Sequence, residues 1–216
     1  MATEVGICNL ALSHIGDDAT VSSIDPPEGS VQAAHCATFY PIARDSLLEM
    51  HSWGFATKRV QLAMLGNGWP EWTYAYSQPN DALNIIAILP PDATDDYSET
   101  INSAPMSAGG YYVPQAFSCE VNEDGAAVIL TDQANAVLRY TSTITDVSKF
   151  SPLFTVTLSW YLASMVVGPI LKGEAGAAES KRCMAIMQQF LAKAMQSDSS
   201  QRRVNPQHNV GWMSGR

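Results

Sequence analysis

Residues 150–171 most restrict how this chain can fold, because none of these 22 residues carries a charge. A helix of that length could cross a membrane. However, five Ser or Thr, two Pro and one Gly interrupt the stretch, whereas a spanning helix normally shows a continuous apolar run of about 18 residues or more. The composition therefore favours a helix over about 152–171 that is buried on several sides, with no membrane involved.

The rest of the composition is that of a globular chain with an uneven charge. Its 216 residues are 46% hydrophobic and 15% charged, with a net charge of −9. Residues 1–150 hold 5 Lys or Arg against 18 Asp or Glu (net −13), whereas residues 151–197 and 198–216 are each +2. The acidic part would repel nucleic acid. This argues against a DNA-binding factor, but it does not argue against a conduit through which DNA must slide without sticking.

Helical periodicity marks both ends of the chain. Thr3 is a good N-cap for a helix over about 4–15, which Gly16 would end. Ser30 can cap a second helix over about 31–50, and Pro41 should kink it. Near the C-terminus, the uncharged helix is followed by an amphipathic helix over about 174–197.

The middle of the chain predicts β structure. Six short runs separated by Gly, Pro, Asn and Asp are typical of strands. They lie at 58–65, 72–77, 83–89, 111–121, 126–131 and 136–144. Residues 90–110 predict a long loop between them. Such strands indicate a small antiparallel sheet, a sandwich or a partial barrel.

These elements predict an α+β fold built on a four-helix bundle of two N-terminal and two C-terminal helices, since neither pair is long enough to be stable alone. The predicted bundle comprises residues 1–56 and 150–197. A small antiparallel β lobe is inserted at 57–149. Residues 198–216 are predicted to be a flexible, extended C-terminal arm.

The cysteine and histidine patterns predict no metal, cofactor or catalytic site. No two of these residues have zinc-ligand spacing, so the Cys are expected to be small core residues in a reducing compartment. The N-terminus lacks the basic region of a signal peptide. The residues concerned are Cys8, Cys36, Cys119, Cys183, His14, His35, His51 and His208.

A dense aromatic segment follows the second predicted helix. Each large ring buries about 150–250 Å², so the segment predicts a packing corner, with the first two rings filling the junction of helices and β lobe rather than anchoring a partner. Base stacking by the tyrosines is disfavoured, because only Lys58 and Arg59 are near. Residues 79–81 are turn formers. The rings are Trp53, Phe55, Trp69, Trp72, Tyr74 and Tyr76.

A set of motifs, in order along residues 7–171, resembles the tail tubular protein A family, the head-to-tail adaptors (connectors) of short-tailed bacteriophages. The set begins with I-C-N-L-A-L-S-H-I-G and F-Y-P-I-A-R-D-S-L-L-E-M-H-S-W-G-F-A-T-K-R-V-Q-L-A. It continues with W-T-Y-A-Y-S-Q-P-N-D-A-L, L-T-D-Q-A-N-A-V-L-R-Y-T-S-T-I-T-D-V-S-K-F-S-P-L-F and the helix over 158–170.

The resemblance implies a structural virion protein rather than an enzyme. In this family a ring of subunits, twelvefold in relatives, docks below the portal protein, links it to the tail nozzle protein and continues the channel for DNA ejection. Double-stranded DNA would pass through without sequence-specific binding. The implied location is the head–tail junction of the virion, after viral tail assembly in the host cytoplasm. The uncharged helix would then meet neighbouring subunits as well as its own core.

The resemblance also implies that the C-terminal arm reaches into the portal. Arg and Trp are typical interface anchors, and a flexible arm can fold on its partner. The residues expected to bind the portal are Arg202, Arg203, Trp212 and Arg216.

Two alternatives remain at this point. Acidic residues of the β lobe could make the chain a tail-associated polysaccharide-degrading enzyme, because glycoside hydrolysis uses two carboxylates. The candidates are Glu120, Glu123 and Asp124, or Asp95 with Asp96. The chain could also be an unrelated cytoplasmic oligomer.

Overall fold

The computed structural model describes residues 2–66, 68–91 and 115–201. They form an α+β protein whose described part contains four α-helices and seven strands. The chain divides into two compact units. The described residues of unit 1 are 2–56 and 143–201, and those of unit 2 lie between 57 and 142.

Unit 1 contains the helices, which begin where the sequence predicts. Thr3 caps α1 by accepting a hydrogen bond from Gly6 N, and Ser30 caps α2 by accepting one from Ala33 N. Gly16, with φ +74°, follows the end of α1 and supplies the left-handed conformation that often terminates a helix. The helices are α1 (Glu4–His14), α2 (Val31–Glu49), α3 (Pro152–Leu171) and α4 (Gly173–Ser199). Helix α2 runs through Pro41, and α4 includes Asp198, where the predicted arm begins.

Helix α3 is the common partner of the other three. It packs along α4 and against both α1 and α2, and no other pair of described helices packs as extensively. Nine of its side chains are buried. Gly176 of α4 is buried against α3, and a Cβ there would lie at an ordinary contact distance of 3.5 Å from Val167 O. The absence of charge from α3 is therefore explained by neighbours within its own unit.

Unit 2 contains two antiparallel sheets. One has the strand order β1-β7-β4 and the other has the order β2-β3-β6-β5. The strands are β1 (Thr57–Gln61), β2 (Met64–Leu65), β3 (Tyr74–Ser77), β4 (Ala82–Leu89), β5 (Phe117–Val121), β6 (Ala127–Thr131) and β7 (Val137–Ser142).

The two sheets share one hydrophobic core. Tyr76 and Ile129 of the four-stranded sheet pack with Ile88, Leu138 and Tyr140 of the three-stranded sheet. Every connection between successive described strands changes sheet, except those from β2 to β3 and from β5 to β6. The strand predicted over 58–65 is accordingly broken at residues 62–63, so that β1 pairs with β7 and β2 with β3. This arrangement is a β-sandwich.

The other side of the four-stranded sheet is covered as well. Ala75, Val128 and Leu130 are fully buried there, and Trp69 and Trp72 pack against them. These indoles come from the connection between β2 and β3, so part of the aromatic segment folds back onto the sheet.

The prediction of a four-helix bundle with an inserted small β lobe is wrong. Helices of such a bundle lie side by side around a shared core, whereas three of these helices take α3 as their main partner. The strands form a two-sheet sandwich with its own core, which is one of the three β arrangements predicted, but it is not a small lobe inserted in a helical bundle. The cause lies in α3, whose uncharged surface can be covered from several directions.

Candidate interaction surfaces

Over residues 31–42, the outward side of α2 is an exposed strip without charge. Its buried side includes Ala33, Cys36, Tyr40 and Leu47. Opposite lie four exposed residues that we call the α2 face: Val31, Ala34, Thr38 and Ile42. Val31 is 66% exposed and Ile42 is 53% exposed. A surface helix normally carries charged or polar residues on this side, so the α2 face has the composition of a surface that another molecule covers.

The acidic end of α2 follows directly on this strip. Asp45 is partly exposed and bonded by Arg44, whose Nε lies 2.8 Å from Oδ1. Glu49, one turn further along, is exposed. The outward side of α2 is thus uncharged over residues 31–42, and beyond them it carries the carboxylates of Asp45 and Glu49.

The outward side of α4 combines small residues with basic ones. It lies opposite the buried Gly176, Cys183, Met187 and Ala194. Five exposed residues at spacings of three and four form what we call the α4 face: Ala178, Lys181, Ala185, Gln188 and Ala192. Alanines at this spacing leave little side-chain bulk on the helix, so that another helix can approach closely.

A stack of three side chains joins α1, α3 and α4. The rings of His14 and Trp160 are parallel with centroids 3.6 Å apart, and the Arg182 guanidinium lies 5.5 Å from the Trp160 centroid. Arg182 donates to His14 O and forms an ion pair with Glu179. Burial, and then the charge of Arg182, lower the pKa of His14.

The protonation of His14 follows from its hydrogen bond. Its Nε2 lies 3.0 Å from Ser159 Oγ, and that hydroxyl donates to Val156 O. The hydroxyl therefore accepts from Nε2–H, so this ring nitrogen carries a proton. His14 packs between α1 and α3 through its stack on Trp160.

A second corner of unit 1 lies where α2 and α4 end. The Asp198 carboxylate accepts a hydrogen bond from Gly54 N at 3.1 Å and lies 3.2 Å from His51 Nε2. Trp53 is fully buried beside it and donates through Nε1 to Leu47 O. Trp53 also packs edge-on against Phe154 of α3. The interpretation of Trp53 as a partner anchor is therefore excluded, and Asp198 fixes the end of α4 within unit 1.

The cysteines of α1 and α2 form a buried thiol pair. Cys8 and Cys36 are fully buried and share a hydrogen bond, and that bond and burial raise the pKa of the Cys8 thiol. Cys183 is also buried and Cys119 is exposed. Three of the four Cys are therefore core residues, as predicted, and Cys119 is not.

The two tyrosines for which base stacking was disfavoured, Tyr74 and Tyr76, pack in the core of unit 2. Tyr76 is buried and its hydroxyl donates to Gln133 O. Asp81, in the predicted turn, accepts from Lys58 Nζ at 2.7 Å and from the Tyr140 hydroxyl at 2.9 Å. The hydrogen bond from Lys58 lowers the pKa of Asp81. These contacts attach the turn before β4 to β1 and β7.

The candidate hydrolytic carboxylates lie on the exposed β5–β6 hairpin. Glu120 accepts a hydrogen bond from Ser118 Oγ. Glu123 and Asp124 occupy a turn in which Gly125 N donates to Asn122 O. A general-acid carboxyl is normally held in apolar surroundings, and all three of these side chains are exposed. Within residues 2–66, 68–91 and 115–201, no group of three His, Cys, Asp or Glu could hold a metal ion.

Several predicted positions lie outside the described residues. They are the arm residues Arg202, Arg203, Trp212 and Arg216, together with His208, Asp95, Asp96 and most of the loop predicted over 90–110.

Helix α3 also meets a membrane criterion. By length and composition it could span a bilayer, and it is the one described helix that could. Half of its most apolar 18-residue window is buried. The core helix of a soluble protein meets the same criterion, so this property is weak support for a membrane span.

No protein-family model matches the chain, and no curated protein shows significant sequence similarity to it. The resemblance to the adaptor family rests on the ordered motifs quoted above.

Sequence reasoning missed both the α2 face and the Asp198 corner. The α2 face had a visible signal, since residues 31–43 contain no Asp, Glu, Lys or Arg on any side of the helix. The Asp198 corner had none, because His51 and Asp198 are 147 residues apart in sequence.

Proposed function

We propose that this chain is a structural subunit of a head-to-tail adaptor ring in a short-tailed bacteriophage, connecting the portal to the tail nozzle. The ordered family motifs suggest the class of protein. The observation that carries the proposal is the α2 face, whose aliphatic side chains Val31 and Ile42 are more than half exposed. A subunit of a permanent assembly needs such a surface, whereas a free monomer gains nothing from it.

The charge distribution supports the same function. Residues 1–150 carry a net charge of −13. An acidic lining repels phosphates and lets DNA move through a channel without being retained. The C-terminal arm, with three Arg and one Trp after residue 201, supplies groups that commonly anchor interfaces and is assigned to portal binding.

The test is electron microscopy of the purified protein, alone and mixed with the portal protein encoded by the same genome. We expect a ring at the narrow end of the portal, and its symmetry gives the number of subunits. A well-folded protein that does not associate with the portal contradicts the proposal.

The polysaccharide-degrading alternative is tested on the same preparation. We expect no release of reducing sugar from host polysaccharide. Release that is lost in Glu120→Gln, Glu123→Gln or Asp124→Asn would replace the structural proposal with an enzymatic one.

A further inference from the structure

We propose that the α2 face of one copy packs against the α4 face of the next copy, so that a single head-to-tail contact repeats around the ring. This inference rests on the proposed adaptor function, because it identifies the surfaces that would join the subunits. The partner is a second copy of this chain.

Both faces point away from the core of unit 1. The inner sides of α2 and α4 pack on α3, and helix geometry places the residues of the two faces on the opposite sides of their helices. All nine residues of the two faces are exposed. Among the described parts of unit 1, no helix covers them.

The two faces are complementary in shape. The α2 face presents the branched side chains of Val31, Thr38 and Ile42, whereas the α4 face presents alanines at positions 178, 185 and 192. Lys181 and Gln188 lie between these alanines. The branched side chains can therefore pack on the alanines at an ordinary distance between helix axes of about 8–10 Å, with the polar Thr38 and Gln188 near each other. At 1.5 Å per residue, the faces are about 17 Å and 21 Å long, which are matching lengths.

The charges beside the two faces are also complementary. Asp45 and Glu49 follow the α2 face along its helix, and Lys181 lies within the α4 face. Asp45 already pairs with Arg44, whereas Glu49 and Lys181 form no ion pair with any described residue. Complementary charges at the rim of an apolar contact set the register and orientation of the two partners.

A two-fold contact between two α2 faces fits less well. In an antiparallel pair, Glu49 of one copy would lie near Val31 of the other, which places a charge against an apolar group without a partner. In a parallel pair, each Asp45 and Glu49 would face its own counterpart, and like charges repel. A contact between two different faces avoids both problems, and contacts of that type can close into rings.

The experiment uses the full chain with a photo-cross-linking amino acid, p-benzoylphenylalanine, in place of Thr38. Copies labelled with ¹⁵N are mixed with unlabelled copies so that mass spectrometry distinguishes links between copies from links within one. The mixture is irradiated alone and bound to the portal. A variant with the same amino acid in place of the exposed Glu123 serves as the matched control.

We expect links between copies from position 38 to peptides of α4, and none from position 123 to α4. Links between copies that fall in α2 or unit 2, or no links in either preparation, overturn the inference. Rings on the portal without the α2–α4 link would refute only this inference. The α2–α4 link in a protein that does not bind the portal would refute only the adaptor function.

Charge substitutions give an independent measurement. With Asp45 of one copy beside Lys181 of the next in an antiparallel contact, Ile42 lies opposite Ala185. Ile42→Lys then places a cation one turn from Lys181, and Ala185→Glu places an anion one turn from Asp45. Each is expected to weaken association about tenfold by sedimentation, equivalent to about 1.4 kcal/mol. Because both residues are exposed, the fold should tolerate the changes. In the double variant the new side chains attract each other and association should recover, whereas two additive losses would contradict the proposed pairing.

Discussion

At the scale of single residues, two buried tyrosines differ in one hydrogen bond. Tyr40 in α2 and Tyr76 in β3 are both 1% exposed. The Tyr76 hydroxyl donates to Gln133 O, whereas the Tyr40 hydroxyl has no hydrogen-bond partner among the described residues. Burial raises the pKa of Tyr40. The two hydroxyls should therefore contribute oppositely to the stability of their units.

We expect Tyr40→Phe to leave the free energy of unfolding unchanged or to raise it slightly, because it removes a buried polar group that has no partner. Tyr76→Phe should lower it by about 1–3 kcal/mol, since it leaves the partly buried Gln133 carbonyl and the buried Ala136 amide without their partner. Urea unfolding followed by circular dichroism measures both. Equal losses in the two variants would show that Tyr40 has a partner.

His14 should make stability depend on pH. Its pKa is lowered by burial and by Arg182, so the unfolded chain binds a proton more readily than the folded one. The contribution of His14 to stability is fully present above its unfolded pKa of about 6.5 and is lost as the pH falls through the lower folded pKa.

The check is to compare wild type with His14→Gln between pH 7 and pH 5. The wild-type midpoint of urea unfolding should fall more steeply with decreasing pH than the midpoint of the variant. Parallel curves for wild type and His14→Gln would assign the pH dependence to other groups.

At the scale of elements, Gly176 is the buried glycine where α4 packs on α3. A Cβ at this position would lie 3.5 Å from Val167 O and 3.6 Å from Gly168 O, which are ordinary contact distances. Gly176→Ala should therefore stabilise unit 1 by up to about 1 kcal/mol through helix propensity. Gly176→Leu should instead destabilise it by about 1–3 kcal/mol, because the larger side chain forces the helices apart. Thermal unfolding of both variants tests this, and a loss in both would show that no Cβ is tolerated.

The elements were predictable from the sequence to differing degrees. The caps at Thr3 and Ser30 and the bounds of α3 follow from local chemistry, and the structure confirms them. The break between β1 and β2 was missed because residues 58–65 read as one β-rich run. Only the pairing of each half with a distant strand separates them.

The arrangement of the elements was less predictable than the elements themselves. Short paired helices suggested a bundle, but the partner of each helix is decided by contacts between residues far apart in sequence. The sequence showed that α3 carries no charge. That property is compatible with several arrangements, and the packing of α1, α2 and α4 around α3 is one of them. The α2 face was overlooked because attention went to the buried stripe of that helix.

At the scale of the whole molecule, Asp198 fixes the end of α4 within unit 1, just before the residues that we assign to portal binding. Truncation after Gln201 keeps the bonds from Gly54 and His51 to Asp198. We expect this variant to unfold like the full chain but to lose portal docking in pull-down and electron microscopy. Normal docking by the truncated chain would show that residues 202–216 are not the portal contact.

A slightly longer truncation is the matched comparison. Removal of everything after Ser197 also removes Asp198, which leaves the Gly54 amide without its acceptor. The free energy of unfolding should then fall by a further 1–3 kcal/mol or so. Only the truncation after Gln201 therefore separates a role of the C-terminal residues in portal docking from a role in folding.

The position of α3 along the chain has a consequence for protein synthesis. The seven described strands precede it, and within the described residues they pair only with one another. These strands therefore leave the ribosome before the helix against which α1 and α2 pack. Domains generally fold as units during translation. The apolar sides of α1 and α2 therefore stay exposed, and accessible to chaperones, until the last third of the polypeptide has emerged.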